Sequence, residues 1–407
     1  MRRGHAIIAC VSLHERPDEH LNYRPVLMAV AVATAGMLPP FLTGGLAVQV
    51  RADLDFGPGA LGIAVAAFFA TSSLASAVMG RLVERIGAHR GMRLAAAGSA
   101  ISLLGIATLA SSLAGLVACL VLGGLANAVS HPSTHLSLAR EVPADRQGLS
   151  FGIKQSAIPA ATLLAGLAVP AIAVTLGWRW AFAGGAVLAL AVAVFVPAET
   201  AQTVGAVHRA KEARAGDARP LSLILLAFGI GLGSIAATPL GTFLVESSVA
   251  AGLRVETAGL LLAFGSACGI IVRVLFGRLA DGMSGGRLRL VAAMLGVGTA
   301  GFVLISTGEG PLLVIGTMLG FGAGWGWPGL FNFAVVKTSP GAPAAATGIT
   351  QTGASGGAAL GPLLFGFVVE GTSFSTAWLV CGGIALVAAA AILAGRTMVL
   401  RERAAPG

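Results

Sequence analysis

The chain has 407 residues, of which 56% are hydrophobic and only 11% are charged, whereas about a quarter of the residues in an ordinary globular domain are charged. The mean hydropathy is +0.87. The 58 glycines and 18 prolines are residue types that membrane helices tolerate. These values exclude a soluble globular protein and indicate a protein that crosses the membrane many times. The net charge of +9 is therefore interpreted as a bias of the loops, not as a nucleic-acid-binding surface.

Twelve apolar stretches are long enough to cross a bilayer, whose core of about 30 Å requires about 20 residues of helix. They are 25–50, 58–80, 92–111, 113–138, 149–176, 179–197, 220–246, 256–279, 288–307, 310–336, 344–369 and 375–395. The sequence therefore predicts an all-α membrane protein with twelve transmembrane helices.

The distribution of basic residues predicts the orientation of these segments. If the segments alternate from a cytoplasmic N-terminus, Arg51, Arg179 and Arg254 fall on the outer side, and Lys154 and Arg273 fall within the membrane. These five leave 21 of the 26 basic residues on the cytoplasmic side, as the positive-inside rule requires. We therefore expect both termini to lie in the cytoplasm and the protein to lie in the cell inner membrane.

An internal repeat divides the chain into two halves of similar pattern. Gly80-Arg81-Leu82 recurs as Gly277-Arg278-Leu279, and Gly152-Ile153-Lys154-Gln155 recurs as Gly348-Ile349-Thr350-Gln351. The predicted parts are a tail at 1–24, a six-helix half at 25–197, a cytoplasmic linker at 198–219, a second six-helix half at 220–397 and a tail at 398–407. Two parallel halves related by an axis along the membrane normal are typical of transporters, which bind substrate between the halves near the midplane.

The connection between the second and third segments carries the most specific motif of the chain. It reads Gly80-Arg81-Leu82-Val83-Glu84-Arg85-Ile86-Gly87-Ala88-His89-Arg90. Together with the repeat, this loop resembles the major facilitator superfamily, in which a glycine, an Asp-Arg pair, a second glycine and basic residues follow one another. Glu84 replaces the Asp here, and the second copy keeps Gly277 and Asp281 but has Gly282 in place of the Arg. The resemblance covers residues 25–397 and implies two pseudo-symmetric six-helix bundles.

The resemblance also implies a role for this loop, which holds the two halves together on the cytoplasmic side when the transporter faces outward. The carboxylate of Glu84 can face the positive N-terminus of a neighbouring helix, while Arg85 can bridge to acidic groups. The residues predicted to act in gating are Gly80, Glu84, Arg85, Gly87, Arg90, Gly277 and Asp281. The alternative is that these charges only anchor the loops among lipid headgroups.

Within the superfamily, two stretches are similar to the group of cyanate and nitroimidazole transporters. They are Gly152-Ile153-Lys154-Gln155-Ser156-Ala157-Ile158-Pro159 and Trp325-Gly326-Trp327-Pro328. The fifth segment departs from the Gly-Pro-Gly-Gly signature of drug/proton antiporters, because Ala160 and Ala161 follow Pro159. This departure weakens the case for multidrug efflux without excluding it.

Ionisable residues inside a membrane are costly and are candidates for function by default. Lys154 and Arg273 lie within the fifth and eighth segments, and no Asp or Glu lies beside them in sequence. Two cations of this kind favour an anionic substrate, since a guanidinium can bind a carboxylate with two hydrogen bonds. A contact at a gate and snorkelling of both side chains to the headgroups remain alternatives. Glu246, near the outer end of the seventh segment, is expected to be a solvated loop charge rather than a proton carrier.

The fourth segment adds three polar residues on one helical face, because Asn127, His131 and His135 are spaced four residues apart. The resemblance implies that this segment lines the central cavity. Histidine titrates near neutral pH, so a proton is a candidate coupling ion. The remaining residues predicted to contact substrate are Gln155, Gln351, Trp327, Phe331 and Asn332. Bonding or packing between helices is the alternative for each of them.

The function predicted is a secondary active transporter that works by alternating access on a small solute, favoured to be an organic or inorganic anion such as a monocarboxylate. A drug/proton efflux antiporter is the alternative, and a membrane sensor or scaffold that transports nothing is a remote one. The expected partners are the solute and the lipid bilayer, without nucleic acid, and the expected state is a monomer. We expect no enzymatic activity and no cofactor, because no Walker-type phosphate loop is found. We also expect no metal, because the two histidines lack a third ligand.

Overall fold

The computed structural model describes residues 23–142, 147–197, 220–283, 285–339 and 343–404, and throughout these ranges the regular structure is helical. In the first half the helices are α1 (Arg24–Gly45), α2 (Ala47–Leu54), α3 (Pro58–Ile86), α4 (Ala88–Leu109), α5 (Leu113–Glu141), α6 (Gln147–Gln155), α7 (Ala157–Ala168), α8 (Val174–Leu176) and α9 (Trp178–Phe195). In the second half they are α10 (Pro220–Ala250), α11 (Val255–Gly282), α12 (Arg287–Ser306), α13 (Gly310–Leu319), α14 (Pro328–Thr338), α15 (Pro343–Gly371) and α16 (Phe374–Ala404).

All twelve predicted segments are helical, which confirms the all-α class. Within the described ranges, eleven helical segments are long and apolar enough to cross a membrane. The tenth segment differs because it is interrupted between α13 and α14. There the chain passes through a π-helical turn at Gly320–Gly324 and resumes the α-helix at Pro328. Four glycines and a proline without an N–H group make this stretch a poor continuous α-helix.

The fifth segment is also divided, although its parts follow one another closely in sequence. α6 ends at Gln155, α7 begins at Ala157, and a π-helical turn at Val169–Ala173 leads into α8. Pro159 and Pro170 lie in these two places, and each removes one backbone donor from the helical ladder. The predicted linker at 198–219 and most of the predicted tail at 1–24 lie outside the described residues, while α16 continues to Ala404.

With the interrupted tenth segment counted, twelve segments place the start of α1 and the end of α16 on the same side, which we call the termini face. The other side, where α2 lies, is the opposite face. Within each half the long helices pack against one another, as α3 and α4 do against α5, and α12 does against α16. Between the halves, α3 packs on α15, α7 on α11, and α1 on α10. Two six-helix bundles therefore meet along three pairs of helices.

Glycines allow these pairs to approach backbone to backbone. A Cβ at Gly166 of α7 would lie 2.6 Å from the Gly259 carbonyl oxygen and 2.6 Å from the Ala263 nitrogen, both in α11. Next to this contact, the Thr162 and Ser266 hydroxyls form a hydrogen bond of 2.7 Å between the same helices. Small residues at helix interfaces are typical of membrane proteins, where dispersion contacts replace the hydrophobic effect as the driving force.

A polar cluster fixes the corner of the first half at the opposite face. Arg179 donates to the Asp53 carboxylate and to the Ala110 carbonyl oxygen, and the Trp178 indole also donates to Asp53. The hydrogen bond from Arg179 is the main reason that the pKa of Asp53 lies below its ordinary value. These bonds hold α2 against the start of α9.

The contact at Gly166 predicts that alanine is tolerated less well there than at a glycine that has open space beside it. Gly166→Ala pushes α7 from the α11 backbone and is expected to destabilise the protein by about 1–3 kcal/mol. It should therefore lower the temperature of half-unfolding of the detergent-solubilised protein. Gly296→Ala in α12, where a Cβ meets open space, is the matched control and should not lower it. Equal midpoints for the two variants would contradict this close approach.

Candidate functional site

A cluster of three nitrogen-bearing side chains lies between α5 and α6. The Lys154 Nζ atom is 3.2 Å from His131 Nδ1 and 3.1 Å from His135 Nε2. The two imidazole rings are 6.3 Å apart and nearly perpendicular. The sequence predicted Lys154 and the histidines as separate candidates, and the structure brings them together because α6 folds back against the last turns of α5.

The hydrogen bonds of this cluster fix how its protons are arranged when Lys154 is charged. An ammonium group only donates, so His131 must accept at Nδ1 and His135 must accept at Nε2. Both imidazoles are then neutral and carry their protons on the other ring nitrogens. Lys154 is only 2% exposed, whereas His131 is half-buried and His135 is exposed. The histidines therefore keep accessible surface that the ammonium group lacks.

Arg273 lies on α11 and binds both halves of the molecule. It donates through one terminal nitrogen to the Gln155 carbonyl oxygen of α6 and through the other to the Trp325 carbonyl oxygen, at 2.7 Å. The side chain is 4% exposed, and its Nε atom is buried without a partner among the described residues. Since Lys154 and Arg273 are both enclosed by the protein, the structure does not support snorkelling of either to the headgroups.

The local sequence explains why these two carbonyl groups accept hydrogen bonds from an arginine. In an α-helix the Gln155 carbonyl would accept from residue 159, but Pro159 has no N–H group. Trp325 lies in the break between the π-helical turn and α14. A carbonyl without a helical partner must find a donor inside a membrane protein. The side chain of Arg273 lies where it supplies a donor to both carbonyl groups.

The other predicted substrate residues lie in two different environments. Asn127 is buried, and its amide donates to the Ser72 hydroxyl of α3 at 2.9 Å. Trp327 and Phe331 are buried in the core of the second half, where the indole donates to the Gly324 carbonyl oxygen at 2.8 Å. The residues that keep accessible surface are Gln155 and Asn332, which are half-buried, and Gln351, which is exposed.

The predicted gating residues lie at the termini face. Glu84, Arg85 and Arg90 are exposed there, and Gly87 ends α3 with a φ of 92° that favours glycine. A Cβ at Gly80 or at Gly277 would meet open space, so these glycines do not mark close helix contacts here. Asp281 lies in α11, and its side chain falls outside the described residues.

An ion pair across the halves at the opposite face was missed by the sequence analysis. Arg51 of α2 binds Glu246 of α10, and the Glu246 residue is only 7% exposed. The expectation that Glu246 is a solvated loop charge is therefore wrong. The repeat contained no signal for this pair, because Arg51 lies in a short helix whose direction only the tertiary structure defines.

Comparison with known proteins agrees with this architecture. The family model of the Major Facilitator Superfamily matches residues 26–334. The chain therefore belongs to this superfamily and is a multi-pass membrane transporter, not an enzyme.

The similar proteins include a drug resistance protein and two solved transporter structures. A chloramphenicol resistance protein of Streptomyces lividans is 28% identical over 398 residues, which is 93% of this chain and 97% of that protein. Among solved structures, the nucleoside transporter NupG has a TM-score of 0.71 at 17% identity over 92% of this chain and 99% of its own. A bacterial homologue of the human lysosomal transporter Spinster, inward-facing and occupied, has a TM-score of 0.70 at 14% identity over 95% of this chain and 99% of its own.

The contacts of Arg273 predict that lysine cannot replace it. Arg273→Lys keeps the positive charge, but a single ammonium group cannot take the place of a fork that reaches two carbonyl groups. The loss of one charge-assisted hydrogen bond should cost about 1.5–3 kcal/mol and lower the midpoint of thermal unfolding in detergent. Arg278→Lys, at an exposed position of the same helix, is the control. An unchanged midpoint for Arg273→Lys would show that the two hydrogen bonds do not stabilise the fold.

Proposed function

We propose that the chain is a secondary active transporter that works by alternating access on a small organic anion, with monocarboxylates as the favoured class. The single observation that carries this proposal is the cluster of Lys154, His131 and His135. It combines a buried ammonium group with two imidazoles, one of which is exposed to an approaching solute.

The electrostatics of the cluster support an anion. A buried charge is costly unless it is paired, and within the described residues Lys154 is hydrogen-bonded to two imidazole nitrogens. Those partners satisfy donors of the ammonium group but do not neutralise its charge. A carboxylate that accepts from Lys154, and from an imidazole N–H if one turns towards it, would supply the missing negative charge.

Arg273 has a different part in this proposal. Two of its terminal donors are used by the Gln155 and Trp325 carbonyl groups, so the guanidinium fork is occupied. We therefore assign the substrate contact to Lys154 and assign Arg273 to the contact between the halves, beside the site. Gln155 directly follows Lys154 in sequence, and its backbone carbonyl binds Arg273. It would therefore connect the two residues.

The proposal includes the orientation of the chain. Arg51, Arg179 and Arg254 are the basic residues at the opposite face, whereas the connections at the termini face are rich in arginine. The positive-inside rule then supports cytoplasmic termini. In that orientation the cluster lies towards the cytoplasmic side, because His135 lies in the last two turns of α5 and α6 is the part of the fifth segment nearest the termini face.

The anion proposal predicts that the neutral variant Lys154→Gln loses binding. Short monocarboxylates, for example acetate, lactate and benzoate, should raise the thermal midpoint of the wild-type protein, because a ligand that binds only the native state stabilises it. Loss of a hydrogen bond to a charged group costs about 1.5–3 kcal/mol, which is an affinity loss of about 10–150-fold. Uptake of the best ligand into proteoliposomes should fall in parallel.

Lys337→Gln is the matched control, because this lysine is exposed on α14, where its ammonium group lies 5.5 Å from the centre of the Phe333 ring. It should keep wild-type binding. If Lys154→Gln binds and transports the anion as the wild type does, the assignment of the site is wrong. If no monocarboxylate stabilises the wild-type protein, the favoured substrate class is wrong.

Export of a neutral drug is the second candidate, and the similarity to the chloramphenicol resistance protein over nearly the full length of both chains favours it. Under this alternative, expression in a sensitive bacterial host should raise the inhibitory concentration of chloramphenicol. Lys154→Gln should then have little effect, because chloramphenicol carries no charge for an ammonium group to bind. Drug tolerance without any flux of anions would replace the first proposal by this one.

A further inference from the structure

We propose that Glu246 is a proton-binding residue whose protonation breaks the Arg51–Glu246 ion pair and allows the opposite face to open. This inference rests on alternating access but not on the chemistry of the substrate. It assigns a coupling site that lies far from the Lys154 cluster, at the other end of the contact between the halves.

The ion pair spans the two halves and is shielded from water. Arg51 is held from behind by a hydrogen bond of 2.9 Å from its Nε atom to the Phe56 carbonyl oxygen, so its guanidinium is directed at α10. Its side chain is 22% exposed and that of Glu246 is 8% exposed. The second carboxylate oxygen, Oε2, is buried and has no partner among the described residues.

The surrounding backbone closes the same end of the molecule. α1 and α10 cross immediately below the pair, where a Cβ at Gly44 would lie 2.7 Å from the Gly241 carbonyl oxygen. α3 and α15 meet equally closely at this end, with Gly62 against the Pro362 carbonyl. The opposite face can open only if α2 moves away from α10, and that movement must separate Arg51 from Glu246.

Other charged groups at this face define the electrostatic setting of Glu246. From α15, Glu370 acts on Arg51 through its charge, and its carboxylate contacts the first turn of α3 at Gly59. Arg254 precedes α11 at this face and Glu256 lies in its first turn, and α2 also carries Asp53, which is bound by Arg179. The charged residues of α1 and α16, which also pack on α10, lie at the termini face.

Protonation changes the balance between the two states. A charged Glu246 favours the closed arrangement, because a partly buried cation without its partner is penalised. A neutral Glu246 removes that preference, so the equilibrium shifts towards an open opposite face, and by linkage the open state binds the proton more tightly. The closed state is therefore stabilised above the pKa of the carboxyl group in the open state and loses this stabilisation as the pH falls.

Pulsed electron spin resonance on full-length protein in nanodiscs tests this directly. Spin labels are placed at Ser111→Cys and Thr307→Cys, which are exposed loop positions of the two halves at the opposite face, after all four native cysteines are changed to alanine. On acidification from about pH 8 to about pH 4, which reaches the range in which glutamate side chains ordinarily titrate, the wild type should shift to longer distances.

Glu246→Gln should populate the long distance at every pH and lose the pH response, while Glu256→Gln at the same face should behave as the wild type. Arg51→Gln should reproduce the Glu246→Gln result, and the double variant should add nothing further. Arg51→Gln carries the test alone if Glu246→Gln is not recovered as a monodisperse protein. The proposal is overturned if the variants that break the pair keep the wild-type pH response, whichever solute is transported.

Discussion

The bilayer offers no water to the backbone, so each carbonyl group that loses its helical partner inside the membrane must be satisfied by the protein itself. This constraint explains the centre of the molecule. Pro159 deprives the Gln155 carbonyl of its ordinary donor, and the break after the π-helical turn exposes the Trp325 carbonyl. Arg273 bonds to both, which joins an interrupted helix of the first half to two helices of the second.

The same interruption positions the candidate site. α6 ends one residue after Lys154, so the ammonium group lies at the end of a short helix that packs beside the last turns of α5. A continuous fifth helix would keep the Gln155 carbonyl in its own ladder and leave Arg273 without that acceptor. Lys154 and Arg273 thus have different bonding partners, although both are buried and lie on neighbouring helices. Lys154 is bonded to two imidazole side chains, and Arg273 is bonded to two backbone carbonyl groups.

The two ends of the interface differ in kind. At the opposite face, backbones touch through glycines and the Arg51–Glu246 pair spans the gap. At the termini face, Glu84 and Arg85 are exposed, and Gly80 and Gly277 have open space beside them. A transporter must open one of its ends while it closes the other. A proton or a solute can shift the equilibrium between these two states only through an interaction that differs between them. The ion pair supplies such an interaction at one end.

Composition and periodicity by themselves determined the membrane class, the twelve segments and the repeat, because length and apolarity are sufficient to define a membrane helix. The loop motif around Gly80–Arg90 also indicated the family. Composition and periodicity further singled out Lys154, Arg273, His131 and His135, since charge and polarity inside an apolar stretch are conspicuous in any sequence.

Only the tertiary structure decided which of these residues meet. That Lys154 contacts the histidines, that Arg273 is held by two carbonyl groups and that Glu246 is buried against Arg51 all depend on how helices distant in sequence pack together. A helical pattern defines which face a residue occupies, but it does not define the neighbour that the face will find.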